Sequence, residues 1–375
     1  MGNNFKILQI VDSLEIGGTE RMSANIYNTL TANAIENYLV VSRKVGPIYN
    51  FITEKSNVLF LDKKNTLDFF AFYRLFKLIK VIKPSIIHVH QTSIYWAFIL
   101  KLLYPRIILI WHDHWGFSDL LKDSDRKVIQ FFSFLLDGVV CVNDKIRDWN
   151  IRNLKVKQSQ IIYIPNFPLV QVKQRIQNDI PILLCLANIR NQKDHLNLVE
   201  ACAILKTEKI NFKLFLAGSL EDKNWVEKVK KKVTTLNLSE EVFFLGSIIN
   251  ISELLSKADV GVLSSVSEGL PVALLEYGLA GLPVVCTDVG QCKEVLGDGE
   301  YGWVVPPKSP KSLAFAIKEA LFNTELANKK AIGLKNNIGK NYGADVFIER
   351  YFDLVSKITG FKPLDKLIFK KKIIG

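Results

Sequence analysis

Cysteine is sparse in this 375-residue sequence: Cys141, Cys185, Cys202, Cys286 and Cys292, odd in number and set mostly inside apolar runs. That excludes a disulfide framework and zinc-finger spacing, and it reads as reduced, buried thiols of a cytoplasmic protein. Long uncharged stretches are missing too. The most apolar region, 86–111, is broken by His88, His90, Lys101 and Arg106. It therefore falls short of the roughly 20 apolar residues that a membrane-spanning helix needs. The run from Ile7 to Val11 is too short for a signal peptide and is followed at once by Asp12. Lys6 stands where a myristoylation site wants Ser or Thr. The spaced glycines of a dinucleotide fold and the Walker lysine are both absent, which counts against an NAD-dependent dehydrogenase and a P-loop enzyme. Net charge is +12, from 49 basic and 37 acidic residues, but no recognition helix or zinc finger accompanies it. Nucleic acid is not an expected partner.

What is present is an ordinary globular composition, 49% hydrophobic and 23% charged, on a chain comfortable for two domains. Strand-like runs at 5–11, 38–42, 58–61, 86–90, 107–111, 138–142 and 161–164 alternate with helical spacing at 21–31, 69–82, 93–103 and 124–136. Pro165-Asn166-Phe167-Pro168 ends that series, and the polar stretch 171–179 reads as a linker. A second series runs from 182 through helices at 195–206, 222–236 and 310–322, with strands at 213–217, 242–245, 260–263 and 284–287. The pattern predicts an α/β protein of two doubly wound, Rossmann-like domains, 1–170 and 180–342. An amphipathic helix near 345–358 within the segment 343–375 is expected to pack back toward the first domain. Such sheets take ligands at the carboxyl ends of their strands, so the site is expected in the cleft between domains.

The most informative stretch is Ser267-Glu268-Gly269-Leu270-Pro271 through Glu276. It places one carboxylate in a Gly-Pro loop and a second on the helix that loop opens, with Pro271 suited to the first helical position. The backbone N–H groups after Gly269 form an anion-attracting pocket, with acceptors on either side. A nucleotide-sugar, carrying phosphate and hydroxyls, suits it. Gly17-Gly18, between a strand and a helix, would let backbone approach a phosphate or sugar, or is a plain turn. Arg190 and Lys193, in a loop after a strand, would neutralise a diphosphate leaving group, or are solvated.

Trp111-His112-Asp113-His114-Trp115 closes another strand. Its histidines read as substrate-facing or structural, and no further ligands stand at metal-binding spacing. Asp123-Ser124-Asp125 leads into a helix and reads as capping. Lys77, Lys80 and Lys83 on an aromatic helix fit either a membrane surface or a sheet-packing helix with a basic outer face. The tail 361–375 mixes basic and apolar residues, as an anionic membrane surface or a solvated terminus would allow.

Taken in order, these segments resemble the retaining glycosyltransferases of family 4, which have the GT-B fold. The resemblance covers nearly the whole chain and is densest from Ile182 to Pro307. Glu268 through Glu276 looks like the family's E-x7-E signature. Ala280-Gly281-Leu282-Pro283-Val284-Val285, Gly297-Asp298-Gly299-Glu300-Tyr301-Gly302, Pro165-Asn166 and Ile87-His88-Val89-His90 also match its usual runs. The resemblance implies that Glu276 binds ribose hydroxyls. It gives the sugar hydroxyls to Glu268 with Gly269 and Leu270 N–H groups, and the diphosphate to Lys193 and Arg190. Gly17 and Gly18 would approach the phosphates or acceptor, and His112 would lie beside the donor sugar.

The implied reaction moves a sugar from a nucleotide-sugar, a UDP-sugar by preference, to a saccharide or lipid-linked saccharide, with retention and without metal or other cofactor. It implies a cytoplasmic enzyme at the inner face of the cell membrane, building surface polysaccharide. Three departures stand out: Asn188 holds the usual arginine position, Gly290-Gln291 replaces a glycine pair, and Tyr277 replaces a small residue where it would narrow the pocket. An epimerase of the same fold, or a non-catalytic nucleotide-sugar-binding subunit, is the alternative.

Overall fold

The structure is a computed structural model that describes residues 5–115, 122, 126–170, 173–248 and 250–360. The Asp123–Asp125 motif and the basic tail 361–375 lie outside the described residues. The chain divides into two compact units, the first of 1–167 with 344–375 and the second of 168–343.

Unit 1 begins with β1 (Ile7–Ser13), α1 (Gly18–Ala32), β2 (Asn37–Lys44) and β3 (Val58–Phe60). It continues with α2 (Phe69–Ile82), β4 (Ile86–His90), α3 (Ile94–Leu103) and β5 (Ile108–Asp113). Then come α4 (Lys127–Phe132), β6 (Gly138–Cys141), α5 (Asp144–Asn153) and β7 (Ile161–Tyr163). The seven strands are parallel in the order β3-β2-β1-β4-β5-β6-β7. Buried residues of α2, α3, α4 and α5 cover one face, where Leu75, Ile79, Trp96, Ile129 and Trp149 meet Leu8, Val89 and Trp111. The other face is covered by α1 and by the last helix of the chain.

Unit 2 runs β8 (Ile182–Leu186), α6 (His195–Thr207), β9 (Lys213–Ala217), α7 (Lys223–Thr235) and β10 (Val242–Gly246). It goes on through α8 (Ser252–Lys257), β11 (Val260–Leu263), α9 (Val272–Leu279) and β12 (Val284–Thr287). It ends with α10 (Cys292–Val295), β13 (Trp303–Val305), α11 (Pro310–Phe322) and α12 (Thr324–Asn341). Its six strands are parallel in the order β10-β9-β8-β11-β12-β13. Both sheets are doubly wound, each with a switch of direction beside its first strand.

The last helix, α13 (Ala344–Thr359), belongs to unit 1. Its apolar residues recur at helical spacing, and Phe347, Ile348, Tyr351, Phe352 and Val355 are fully buried against β5, β6 and α1. Burying each such side chain is worth about 1.5–3 kcal/mol, which ties α13 to this sheet.

Four helices were not legible in the sequence: α5, α8, α10 and α12. The last carries Gly333 and Gly339, which lower helix propensity, and the burial of Ala327, Ala331, Leu334 and Ile338 overrides them. The expected helix at 124–136 is described only from Lys127, as α4 and a 3-10 turn to Leu135. All five cysteines are free and buried. Among the described residues, no helix is long and apolar enough to cross a membrane.

Candidate functional site

In unit 2 the switch of direction lies at β8, which pairs with β9 on one side and β11 on the other. The loops that leave β8 and β11 bring Lys193 and Glu268 together. Lys193 Nζ donates to Glu268 Oε1 at 2.6 Å and to Oε2 at 2.7 Å. The hydroxyl of Ser265 donates to the same Oε1 at 2.6 Å, and the glutamate side chain is only 6% exposed. Both loops are stitched together behind this pair. Gln192 donates its side-chain amide to Ser267 O, Val266 N–H reaches Gln192 O, and Ser264 Oγ reaches Lys193 O.

A third loop, after β12, supports the pair from below. Thr287 Oγ1 donates to Ser265 O at 2.6 Å, and Gln291 N–H to Gly269 O at 3.0 Å. Gly290 makes that approach possible: φ is +55°, and a Cβ there would stand 2.3 Å from Glu268 O. A side chain there would be strained by the backbone and would clash with the Glu268 carbonyl. Among the described residues, no acceptor meets the N–H of Gly269 or Leu270. Two N–H groups without an internal acceptor, in the loop whose glutamate a lysine holds, suit an anion with hydroxyls attached.

The helix starts one residue later than expected, since Pro271 is the extended N-cap and Val272 the first residue of α9. Leu270 and Pro271 lean on the core of unit 2, while Gly269 is exposed. Glu276 lies in the second turn of α9, half-buried. Arg190 is exposed at the head of the turn that carries Lys193. Asn188 has a different task from the arginine it replaces, because its Oδ1 accepts from Ser219 N at 2.9 Å and closes the loop after β9.

Tyr277 corrects one expectation outright. It does not narrow the pocket; its ring lies against Gly261 inside the sheet. Its hydroxyl accepts from Leu186 N at 2.6 Å and donates to Leu184 O at 3.0 Å.

In unit 1 the switch of direction lies between β1 and β4. Gly17 is the N-cap of α1 and Gly18 its first residue. The N-terminus they form already faces a carboxylate. Glu20 Oε2 stands 2.3 Å from where a Gly17 Cβ would be, with Oε1 accepting from Ser13 Oγ at 3.3 Å. Burial raises the Glu20 pKa above the usual range. A phosphate approaching Gly17 would meet that carboxylate, whereas the space at Gly18 is open.

His112 is not at an open strand end. It is fully buried, with His88 Nε2 and His112 Nδ1 3.2 Å apart and Phe347 of α13 stacked 6.1 Å from its ring. Because β4 and β5 are neighbours, with His90 opposite His112, four of the five histidines form one stack. Within it, His114 is the most exposed, at 8%. Ring nitrogens of His88, His90 and His112 lie within 4.8 Å of one another. The expectation that His112 has no neighbouring ligands is therefore wrong. Most of the rings lie face to face. Burial pushes His88 and His114 down to about 3, and His90 and His112 well below the usual histidine range. All four are neutral at pH 7.

Asp113 projects to the opposite face of β5, as alternation along a strand requires. There it accepts two hydrogen bonds from Arg126, at 2.6 and 2.9 Å, and one from Asn150 at 3.1 Å.

Residues 16–167 match the family described as Glycosyltransferase Family 4, and residues 167–334 match Glycosyl transferases group 1. The chain belongs to glycosyltransferase family 4. Its curated relatives include the putative glycosyltransferase EpsD of Bacillus subtilis, 31% identical over 42% of this chain and 40% of that one. The O-antigen biosynthesis glycosyltransferase WbnH of Escherichia coli is 27% identical over 77% and 83%. The N-acetylgalactosamine-N,N'-diacetylbacillosaminyl-diphospho-undecaprenol 4-alpha-N-acetylgalactosaminyltransferase of Campylobacter jejuni is 25% identical over 65% and 59%. The chain spans less than half the length of the first of these relatives. Among solved structures, Anabaena Alr3699/HepE with UDP-glucose superposes with a TM-score of 0.76 over 94% of this chain and 100% of that chain, at 16% identity. That likeness concerns the GT-B fold.

For a family 4 chain, sequence reasoning missed three supporting residues: Ser265, Thr287 and Gly290. Each lies within or beside a strand end whose loop touches Glu268, and Gly290 was the one with a readable signal. It also missed the histidine stack. The two His-x-His patterns, 88–90 and 112–114, were its only trace in sequence.

Proposed function

We propose that this chain transfers a sugar, with retention, from a UDP-sugar or related nucleotide-sugar to a saccharide or lipid-linked saccharide. The work would be done at the inner face of a bacterial membrane, in assembly of a surface polysaccharide. The observation that carries the donor half is the Lys193–Glu268 pair beside the Gly269 and Leu270 N–H groups. The names of WbnH and of the Campylobacter jejuni enzyme support the acceptor class, and the UDP-glucose of the HepE complex supports the donor class.

In this reading the bond from the anomeric carbon to the diphosphate breaks as the bond to the acceptor oxygen forms on the same face. The acceptor's proton passes to the departing phosphate oxygen. Lys193, joined by Arg190 from the exposed rim, stabilises the leaving diphosphate, the main way such a barrier falls. Lys193 then shares itself between Glu268 and phosphate. Ser265 keeps Glu268 in place to accept from sugar hydroxyls, and Glu276 accepts from the ribose. No metal takes part in this scheme. Gly17 and Gly18 would meet a phosphate or the acceptor once Glu20 moves aside. On the sugar's far side the resemblance gives His112, which would have to leave its buried stack to reach a donor.

A panel of UDP-, GDP- and ADP-sugars in a thermal-shift assay tests the donor half, because ligand raises the melting temperature by mass action. A UDP-sugar is expected to shift the chain most, and no shift with any of them would remove the basis of the proposal. Product anomer by NMR tests retention, and an inverted product overturns it. Activity should survive chelator, and its loss with restoration by a divalent ion would refute metal independence.

A further inference from the structure

The outer surface of α2, α3 and α4 has no place in that scheme. These helices lie side by side on one face of the unit 1 sheet, joined by ring contacts Phe72–Trp96 and Phe98–Phe132, each 5.6 Å. Their inward residues form the core, as a sheet-covering layer should. Their outward residues are not those of a solvated layer.

On α2, Phe69 and Phe70 are 72% and 74% exposed, with Lys77 and Lys80 further along the same side. On α3, Ile99, Leu102 and Leu103 face outward, and the helix's one charge does not. Lys101 turns its ammonium inward to Asp137 Oδ2 at 2.6 Å and Ile107 O at 2.7 Å. The outer face of α3 is thus wholly uncharged. On α4, Phe131 is 65% exposed. Large exposed apolar side chains on three neighbouring helices mark an interaction site.

Its charge selects the partner. Across α2 and α3, from Phe69 to Leu103, there is no Asp or Glu, and of the five Lys and Arg only Lys101 is turned inward. Among the described residues no carboxylate pairs with Lys77, Lys80 or Lys83. A second copy docking symmetrically would set these lysines against themselves. An anionic lipid surface takes aromatic and aliphatic side chains into its acyl boundary and basic ones at its headgroups.

We infer that the α2–α3–α4 face of unit 1 is a docking surface for anionic membrane, which the chain lies on and does not span. This stands on the surface alone and holds whatever sugar the chain transfers. It also moves the membrane contact from the basic tail to the body of unit 1.

The test is co-sedimentation of the full chain with vesicles of phosphatidylcholine containing phosphatidylglycerol, or of phosphatidylcholine alone. The chain should prefer the anionic vesicles. Phe70→Ser with Leu102→Ser should weaken binding by at least about tenfold. Lys77→Glu with Lys80→Glu should weaken it about 25-fold on anionic vesicles, the product of about fivefold per lysine, and little on neutral ones. Melting temperatures of both variants should match the parent, since all four side chains are exposed. Deleting 361–375 should leave most binding intact. The inference falls if the two double variants bind like the parent, or if the tail deletion alone abolishes binding. It falls too if the parent ignores vesicles and forms a dimer that Phe70→Ser with Leu102→Ser breaks.

Discussion

The two units share one topology and differ in what stands at the ends of their strands. Unit 2 presents a charged pair, Lys193 and Glu268, next to backbone N–H groups with no internal acceptor. Unit 1 stacks four neutral histidines beneath α13 and sets its own Glu20 beside Gly17 at the α1 N-terminus. The same fold thus carries charge at its strand ends in one unit and neutral, buried rings in the other, where His88 Nδ1, His112 Nε2 and His114 Nδ1 have no hydrogen-bond partner among the described residues. Function in such folds lives in the strand-end loops, so equal frames permit unequal chemistry.

The sharpest way to break the comparison is to remove charge from unit 2. Lys193→Ala and Glu276→Ala should each cut transfer by roughly 10²–10³-fold with the fold retained. Normal turnover in both, measured as initial rates, would show that unit 2 is not the charged half of the reaction. In unit 1 the expected damage is to stability instead. Asp113→Asn leaves Arg126 buried without its ion pair and should cost about 3 kcal/mol in denaturant unfolding. An unchanged midpoint would mean that the pair is dispensable.

Acid should separate the units next. Histidines held below their unfolded value near 6.5 bind fewer protons in the native state than in the unfolded one. Stability is therefore full above that value and lost as pH falls below it. Each such histidine contributes a slope of up to about 1.4 kcal/mol per pH unit. Unit 1 has four, while unit 2 has His195, at about 4. Unfolding followed from pH 7 to 5 should show unit 1 melting first, and parallel loss in both units would contradict the stack's neutrality. The smallest effect is expected from Ser265→Ala, which deletes one of the hydrogen bonds to Glu268. It should cost about 1 kcal/mol, read as a several-fold rise in donor KM. No change would free Ser265 of any positioning role.

The alternation of strands and helices and the Glu268–Glu276 stretch were legible because a strand, its loop and the following helix are contiguous in sequence. What depended on strand order was not. His88 and His112 are brought together only because β4 neighbours β5, and periodicity within one segment carries no record of that. Asp113 was read with its flanking histidines, although the pleat sends it to the other side of the sheet. Tyr277 occupies a motif position next to Glu276, yet helical geometry turns it inward to Gly261. Local pattern placed the charged residues of unit 2; the interior of unit 1 required the fold.

The return of α13 to unit 1 also sets an order in time. A ribosome completes every residue of unit 2 before it releases Phe347, Tyr351 and Phe352, which fill the unit 1 core. The first-made unit must therefore wait, one face of its sheet covered by α1 alone, while the second closes. N-terminal units usually fold first during synthesis. A nascent chain halted at Gly343 is expected to hold a protease-resistant unit 2 and a protease-sensitive unit 1, and the last sixteen residues of helix act as the keystone.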